Sequence, residues 1–314
     1  MASVLEHDGP LERVFDQRPP ASLHSHLGAS AQTYRWQWQG QPLTVVYETV
    51  GKGDPVLLLP AFSTVSNRAE LKELALALAP HCQVTVLDWP GFGESDRPAL
   101  DYSPALYTQF LQDFVTAIFE TPIAIAAAGH AAGYALHLAA QQPTTCTKLT
   151  LVAPTWRGPL AVMGVPPTVR KGVKELVRMP LLGQALYGLN THPAFLKWMY
   201  RRHVFVDEQR LTPDYLRQRH RSTQQPGARY APAAFVTGGL DPVPHRTALL
   251  SWLGQVTCPV MVVLATQAPP TSKAEMAAIA ALPQVQTQQL PGTLGLAEEF
   301  GAAVAAILKP FLTT

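Results

Sequence analysis

Short apolar runs recur along most of this 314-residue chain, and the stretches between them carry the spacing of amphipathic helices. Tyr34-Arg35-Trp36-Gln37-Trp38 and Leu43-Thr44-Val45-Val46-Tyr47 alternate on either side of Gly40-Gln41-Pro42, which predicts a hairpin. Val56 to Leu59, Val84 to Leu87, Pro122 to Ala128, Leu149 to Val152, Val260 to Leu264 and Val285 to Thr287 read as further strands. Between them, Leu71, Leu74, Ala75 and Leu78 mark one helix face behind the capping pair Asn67 and Glu70. Tyr107, Phe110, Leu111, Phe114 and Ile118 mark a second, with Ser103 and Pro104 in the first two positions. Tyr134 to Ala140 forms a third helix that stops before Pro143. Ser272 with Glu275 is expected to cap a fourth, and Phe300, Ala303, Val304, Ile307 and Leu308 line a closing one.

Alternation of strand and helix predicts an α/β fold: a mostly parallel sheet with helices on both faces. Residues 155–250 break the rhythm and read as an inserted helical cap, with helices at Leu181 to Leu189 and Ala194 to Arg202 and another opening at Thr212-Pro213. The core is then 34–154 together with 251–314, and residues 1–33, which lack periodicity, form a loosely ordered lead-in.

Apolar residues make up 47% of the chain and charged residues 15%, enough to build a buried core and unlike a disordered composition. A net charge of +2 gives no global reason to expect nucleic acid. Cys82, Cys146 and Cys258 are odd in number, far apart and without metal-binding spacing, so they read as reduced thiols, with no metal and no cofactor expected. No Asp, Glu, Lys or Arg occurs between Thr121 and Thr147, but the glycines and Pro143 break that run too early for a membrane span. With no secretory signal visible, the expectation is a soluble protein, cytoplasmic or, in a photosynthetic eukaryote, in the plastid stroma.

The candidate chemistry centres on Gly129-His130-Ala131-Ala132-Gly133, which has the spacing of G-x-S-x-G, the strand-to-helix turn that presents a nucleophile. Together with Leu58-Leu59-Pro60-Ala61-Phe62, Asp88-x-x-Gly91-x-Gly93-x-Ser95 and Cys258-Pro259-Val260, all in order, it resembles the α/β-hydrolase superfamily across roughly residues 34–312. Ala127 to Tyr134 and Thr155 to Leu160 look more narrowly like hydrolase-like proteins of cyanobacteria and chloroplasts.

That resemblance implies three catalytic slots: nucleophile, base, and a carboxylate orienting the base. The nucleophile slot holds Ala131. The acid slot, around Ala268, offers no carboxylate, and neither does the stretch after Val152. The base slot, at Leu294 or Ala297, lacks histidine, and none occurs anywhere after His245. The resemblance assigns the pocket and its oxyanion donors to Phe62, Ser63, His130, Ala132 and Trp156, with the amides of Phe62 and Ala132 as donors. His130 is read as structural, Ser63 and Thr64 as bonded to local backbone, and Asp241 either as a displaced acid or as the start of a turn.

Residues 155–230 carry thirteen Lys and Arg against four Asp and Glu, a balance of +9 that leaves −7 on the rest of the chain. Arg201, Arg202, Arg217, Arg219 and Arg221 are the densest cluster, interleaved with aromatics. This face reads either as an ordinary solvated surface or as a docking patch for an acidic protein or an anionic membrane. The sequence therefore points to a catalytically inert pseudohydrolase that binds a small apolar ligand or a partner. The alternative is an active hydrolase or lyase using other residues.

Overall fold

The computed structural model describes residues 23–313. Its strands are β1 (Gln32–Trp38), β2 (Gln41–Val50), β3 (Asp54–Leu59), β4 (Cys82–Leu87), β5 (Ile123–Ala128), β6 (Cys146–Val152), β7 (Val260–Ala265) and β8 (Val285–Leu290). They form one sheet in the order β1-β2-β4-β3-β5-β6-β7-β8. β1 and β2 form the predicted hairpin, β2 runs antiparallel to β4, and every pairing from β4 to β8 is parallel.

The central strands are apolar on both sides, as a covered parallel sheet requires. Successive residues feed two different layers. Leu57, Leu59, Ile125, Ala127, Leu149, Leu151 and Val262 join one core, and Val56, Leu58, Ala124, Ala126, Val152 and Val263 join the other.

The helices in the first half are α1 (Lys72–Leu78), α2 (Pro104–Ile118) and α3 (Ala131–Gln141). Between β6 and β7 lie α4 (Pro159–Val162), α5 (Pro167–Arg178), α6 (Leu182–Asn190), α7 (Pro193–His203), α8 (Pro213–Thr223), α9 (Tyr230–Val236) and α10 (Arg246–Gln255). The chain closes with α11 (Pro270–Ala280), α12 (Leu296–Glu299) and α13 (Gly301–Thr313). α1 packs beside α13 on one face of the sheet, while α2, α3 and α10 supply the other layer. The boundary drawn at residue 250 falls inside α10, which packs on α3, so the core resumes with that helix.

Two expectations change on packing. Ser272 and Glu275 do not cap α11: the helix starts earlier, at Pro270, where a proline loses no hydrogen bond, and Glu275 pairs with Arg246 at 2.6 Å instead. Cys146 and Cys258, distant in sequence, lie together at the starts of β6 and β7 as free thiols that share a hydrogen bond.

Residues 1–22 of the expected lead-in lie outside the described residues. The stretch that follows them is not loose. The amides of His26 and Leu27 donate to Glu48 at 2.9 and 2.8 Å, and the His24 carbonyl accepts from Arg68 at 2.6 Å.

Arg68 is fully buried in the 3-10 turn Arg68–Leu71 that precedes α1. Its guanidinium reaches Glu48 on β2 at 2.7 Å, Glu94 at 2.7 Å, and Asp88. Asp88 also accepts from the Glu94 amide at 2.8 Å, which fixes the glycine-rich turn after β4.

Replacing Arg68 by alanine strands three carboxylates around a buried void. It is expected to lower the unfolding free energy by about 3–5 kcal/mol in urea denaturation. Arg217→Ala, which breaks an exposed pair with Asp214, should change it by less than about 1 kcal/mol.

Candidate functional site

The carboxyl ends of β3, β5, β6 and β7 come level with one another, at Leu59, Ala127, Leu151 and Val262, and this is where an open α/β sheet carries its chemistry. β5 ends at Ala128 and α3 begins at Ala131. Between them Gly129 takes φ +51° while His130 is already near helical, at φ −68° and ψ −23°. Gly129 is the residue bent into the left-handed region, which glycine adopts without steric penalty.

Ala131 is the first residue of α3 and fully buried. The tip of the turn therefore stands two residues before the position expected from spacing. The frame small-x-tip-x-small is satisfied equally by Ala127-x-Gly129-x-Ala131 and by Gly129-x-Ala131-x-Gly133, so spacing did not distinguish them. A β-carbon added at Gly129 would lie 3.0 Å from the Ala61 side chain, inside ordinary van der Waals contact, and 3.9 Å from the Thr155 hydroxyl. In either frame the tip bears no nucleophilic atom.

The shift also moves the oxyanion donors. The Ala132 amide is spent on the Gly129 carbonyl at 3.2 Å. With Gly129 at the tip, the residue after it is His130, and the loop after β3 supplies Phe62. Neither of these two amides donates a hydrogen bond among the described residues.

The Phe62 and His130 side chains belong to a cluster of rings. Phe62 stacks on Trp89 with centroids 4.9 Å apart and meets Tyr107 at 5.0 Å, Phe92 at 5.4 Å, Tyr134 at 5.5 Å and His130 at 5.8 Å. Phe62, His130 and Ala132 are thus core residues and do not line an open pocket. Ser63 accepts from the Val65 amide at 3.1 Å, closing a local turn.

His130 is tied to the cap. Its Nε2 lies 2.8 Å from the Leu240 carbonyl, which can only accept, so that nitrogen carries the proton. Nδ1 is buried without a partner among the described residues. Burial lowers its pKa to about 4, so the ring is neutral at physiological pH.

Asp241, the neighbour of Leu240, sits 3.6 Å from His130 Nε2 and accepts from the Gly158 amide at 2.7 Å. Burial pushes its carboxyl up from an ordinary 3.8 to about 7, against the pull of the Gly158 amide, Arg170 and Arg157. It opens into a cleft of about 490 Å³ between cap and core, lined also by Trp156, Arg157, Arg170, His245 and Arg246. Of the pocket residues expected from sequence, Trp156 alone lines this cleft.

The acid slot remains apolar, with Ala268 buried behind β7. The base slot has become an anchor for the cap. The Gly295 amide donates to the Val204 carbonyl at 3.2 Å, joined there by the Thr293 hydroxyl. A β-carbon at Gly295 would fall 2.5 Å from that carbonyl oxygen. Glu299 accepts from the amides of Val206 and Asp207 at 2.9 and 2.7 Å. Leu294 is half-buried and Ala297 buried beneath this junction.

Next to the junction, Arg219 is also buried. It pairs with Glu298 and, at 3.5 Å, with Glu70, whose carboxyl is pushed up by burial and by Glu298. Arg219 therefore leaves the docking patch proposed from sequence: it is an internal tie, because a buried arginine must face carboxylates. Arg201, Arg202, Arg217 and Arg221 are exposed. Arg201 pairs with Glu208 at 2.7 Å, Arg217 pairs with Asp214, and Arg202 lies 5.9 Å over the Trp198 ring.

A family model described as the alpha/beta hydrolase family matches residues 56–305. No curated protein sequence matches the chain. Among solved structures, Cfl2 from Burkholderia cenocepacia superposes with a TM-score of 0.68 at 20% identity, over 90% of this chain and 96% of that one. The haloalkane dehalogenase DatA from Agrobacterium tumefaciens C58 gives 0.68 at 19% identity, covering 93% and 99%. A thermophilic esterase from Thermogutta terrifontis gives 0.68 at 17% identity, covering 90% and 98%. Identities this low carry the fold alone.

The Asp241 environment sets a pH dependence with a definite sign. The folded state holds a proton on this carboxyl that the unfolded chain has already released, so raising the pH from 3.8 to about 7 disfavours the folded state. His130 works in the opposite direction, losing stability as the pH falls from 6.5 to about 4, and does so in any variant that keeps it. Wild type is therefore expected to lose stability relative to Asp241→Asn as the pH rises from about 4 to 7. Parallel urea titrations of the two proteins check this, and a difference that does not change with pH would refute it.

Proposed function

The chain belongs to the alpha/beta hydrolase family, and from the glycine at its elbow we propose that it is a catalytically inert member that acts by binding. The carrying observation is Gly129. Covalent catalysis in this fold needs an oxygen or sulfur on the tip of the turn, and glycine supplies no side chain at all.

The remaining roles fail independently. The base slot is spent on holding the cap, and the acid slot is a buried alanine. Losing a nucleophile or a base typically lowers turnover by ~10⁶, which leaves at most the ~10³–10⁴ that oxyanion donors and binding supply. The Phe62 and His130 side chains are themselves buried in one aromatic cluster, which works against an open substrate pocket beside them. The fold is then retained for its body, with binding assigned to the cleft at Asp241 and to the cap surface.

A second reading, an active enzyme using other residues, has one observation in its favour. Asp241 combines a pKa near 7 with a position in a cleft lined by arginines, the kind of perturbed group that marks active sites. Gly158 already holds one of its oxygens, and His130 beside it is neutral and sealed among rings. The dehalogenase and the esterase with this fold are proteins named for bond cleavage. Asp241→Asn tests whether this chain shares that property.

The inert reading expects no labelling by a fluorophosphonate probe and no p-nitrophenyl ester turnover above buffer. Ala131→Ser is expected to stay unlabelled as well, because that side chain is buried inside α3. Labelling of wild type, or ester turnover abolished by Asp241→Asn, would establish the second reading in its place.

A further inference from the structure

Of the twelve large apolar side chains exposed among the described residues, eleven fall between Val162 and Val206, so the greasy surface belongs to the cap and not to the protein at large. The helices there are turned inside out. In α5 the apolar stripe Val169, Gly172, Val173 and Leu176 has the spacing of a core-facing seam. Yet Val169 and Leu176 are exposed, and nothing lies within 4 Å of where a Gly172 side chain would stand.

The basic stripe of the same helix faces inward. Arg170 donates to the carbonyls of Val165 and Thr237 at 3.0 and 2.9 Å. Lys174 pairs with Asp101 at 2.7 Å, and Arg178 donates to the Leu100 carbonyl at 2.7 Å.

The same inversion continues along the chain. α6 buries Gly183 and Tyr187 and presents Leu182 and Leu189 outward, the latter 71% exposed. The link between the helices carries Met179 and Leu181. Leu181 is 88% exposed and takes φ +58°, a conformation that is a genuine outlier for a bulky residue. On α7, Phe195 and Trp198 are exposed with rings 5.5 Å apart, and Arg202 lies against Trp198.

We propose that this face of the cap, formed by α5, the Leu181 link, α6 and α7, seats the protein on an anionic lipid bilayer. Strain spent on displaying a leucine to water has a purpose only if something apolar receives it. Apolar tips with an exposed tryptophan and neighbouring cations are the make-up of an interfacial surface. Charge chooses the kind of apolar partner. With Arg170, Lys174 and Arg178 turned inward, the exposed charges of α5, α6 and α7 are Lys171, Lys197, Arg201 and Arg202 against a single acid, Glu175. A second copy of this chain would oppose two faces of the same sign, whereas an anionic leaflet attracts each basic residue near its surface. Contact is peripheral: no helix among the described residues is long and apolar enough to cross a membrane. This inference rests on the reading that the fold acts by binding, and it names the surface that the cap binds.

The test is co-sedimentation of the full chain with phosphatidylcholine vesicles and with vesicles containing about 30 mol% phosphatidylglycerol. Binding is expected to the anionic vesicles only, to weaken between about 0.1 and 0.5 M salt, and to fall about tenfold or more in Leu181→Glu and in Leu189→Glu. Tryptophan emission should shift to the blue on anionic vesicles in wild type and not in Trp198→Phe. These side chains are exposed, and an unchanged urea midpoint confirms that the variants fold.

The proposal is overturned if anionic vesicles do not bind the chain, or if both leucine variants bind like wild type. It is equally overturned if Leu181→Glu instead dissolves a dimer in sedimentation velocity, or if an acidic polypeptide is bound and vesicles are not. None of these readouts involves turnover. Esterase activity would remove the inert reading and leave the vesicle result standing, and loss of vesicle binding would leave the elbow argument intact.

Discussion

The five residues from Asn67 to Leu71 hold this molecule together, because two buried arginines converge there from opposite sides. Arg68 belongs to the turn itself and points into the core, where it gathers Glu48, Asp88 and Glu94. Glu70, two residues on, faces the other way and meets Arg219 from the cap, while Asn67 both caps the turn and accepts from Arg219 at 3.2 Å. Each ion loses several kcal/mol of hydration on burial, and only a complete set of partners offsets that loss. The turn therefore has one arrangement, and it fixes the loop after β3, the glycine-rich turn after β4 and the seat of the cap at once.

That rigidity extends to the surroundings of the elbow. The loop carrying Phe62 enters this turn directly, and the Phe62 ring is packed among Trp89, Tyr107 and His130. Below it the chain bends at a glycine, and beside it His130 is held neutral by burial, while the Leu240 carbonyl fixes which ring nitrogen carries the proton. A working site needs a reactive atom, a base with access to it, and room for substrate. On the proposed inert reading, the first of these is absent at Gly129 and the second is given over to anchoring the cap.

The cap is joined to the core through charge and hydrogen bonds as well as through apolar contact. Glu298, Glu299 and Arg219 close one side, while Arg170, Lys174 and Arg178 reach inward on the other to carbonyls and to Asp101. Using the basic stripe of α5 for internal bonds leaves its apolar stripe nowhere to go but outward. The exposed apolar side chains and the inward-facing, half-buried cations are two consequences of one helix orientation.

Much of this was legible in the chain. Hydrophobic periodicity is a local property, so it determined the strands, most helix faces, the position of the insertion and the alternation that makes a parallel sheet. The missing base was legible too, since no histidine follows His245 under any register. The position of the elbow tip was not, because alternating small residues fit two frames, and only pairing between β3 and β5 and the sign of φ at Gly129 separate them. Nor did charge density separate Arg219 from its exposed neighbours: whether an arginine is a surface cation or a buried tie depends on carboxylates far away in the sequence, Glu70 and Glu298. Periodicity gives a helix its stripe but not the side on which that stripe will lie. For α5 the carbonyls and carboxylate offered by the rest of the fold decided it, and those partners exist only once the chain has closed.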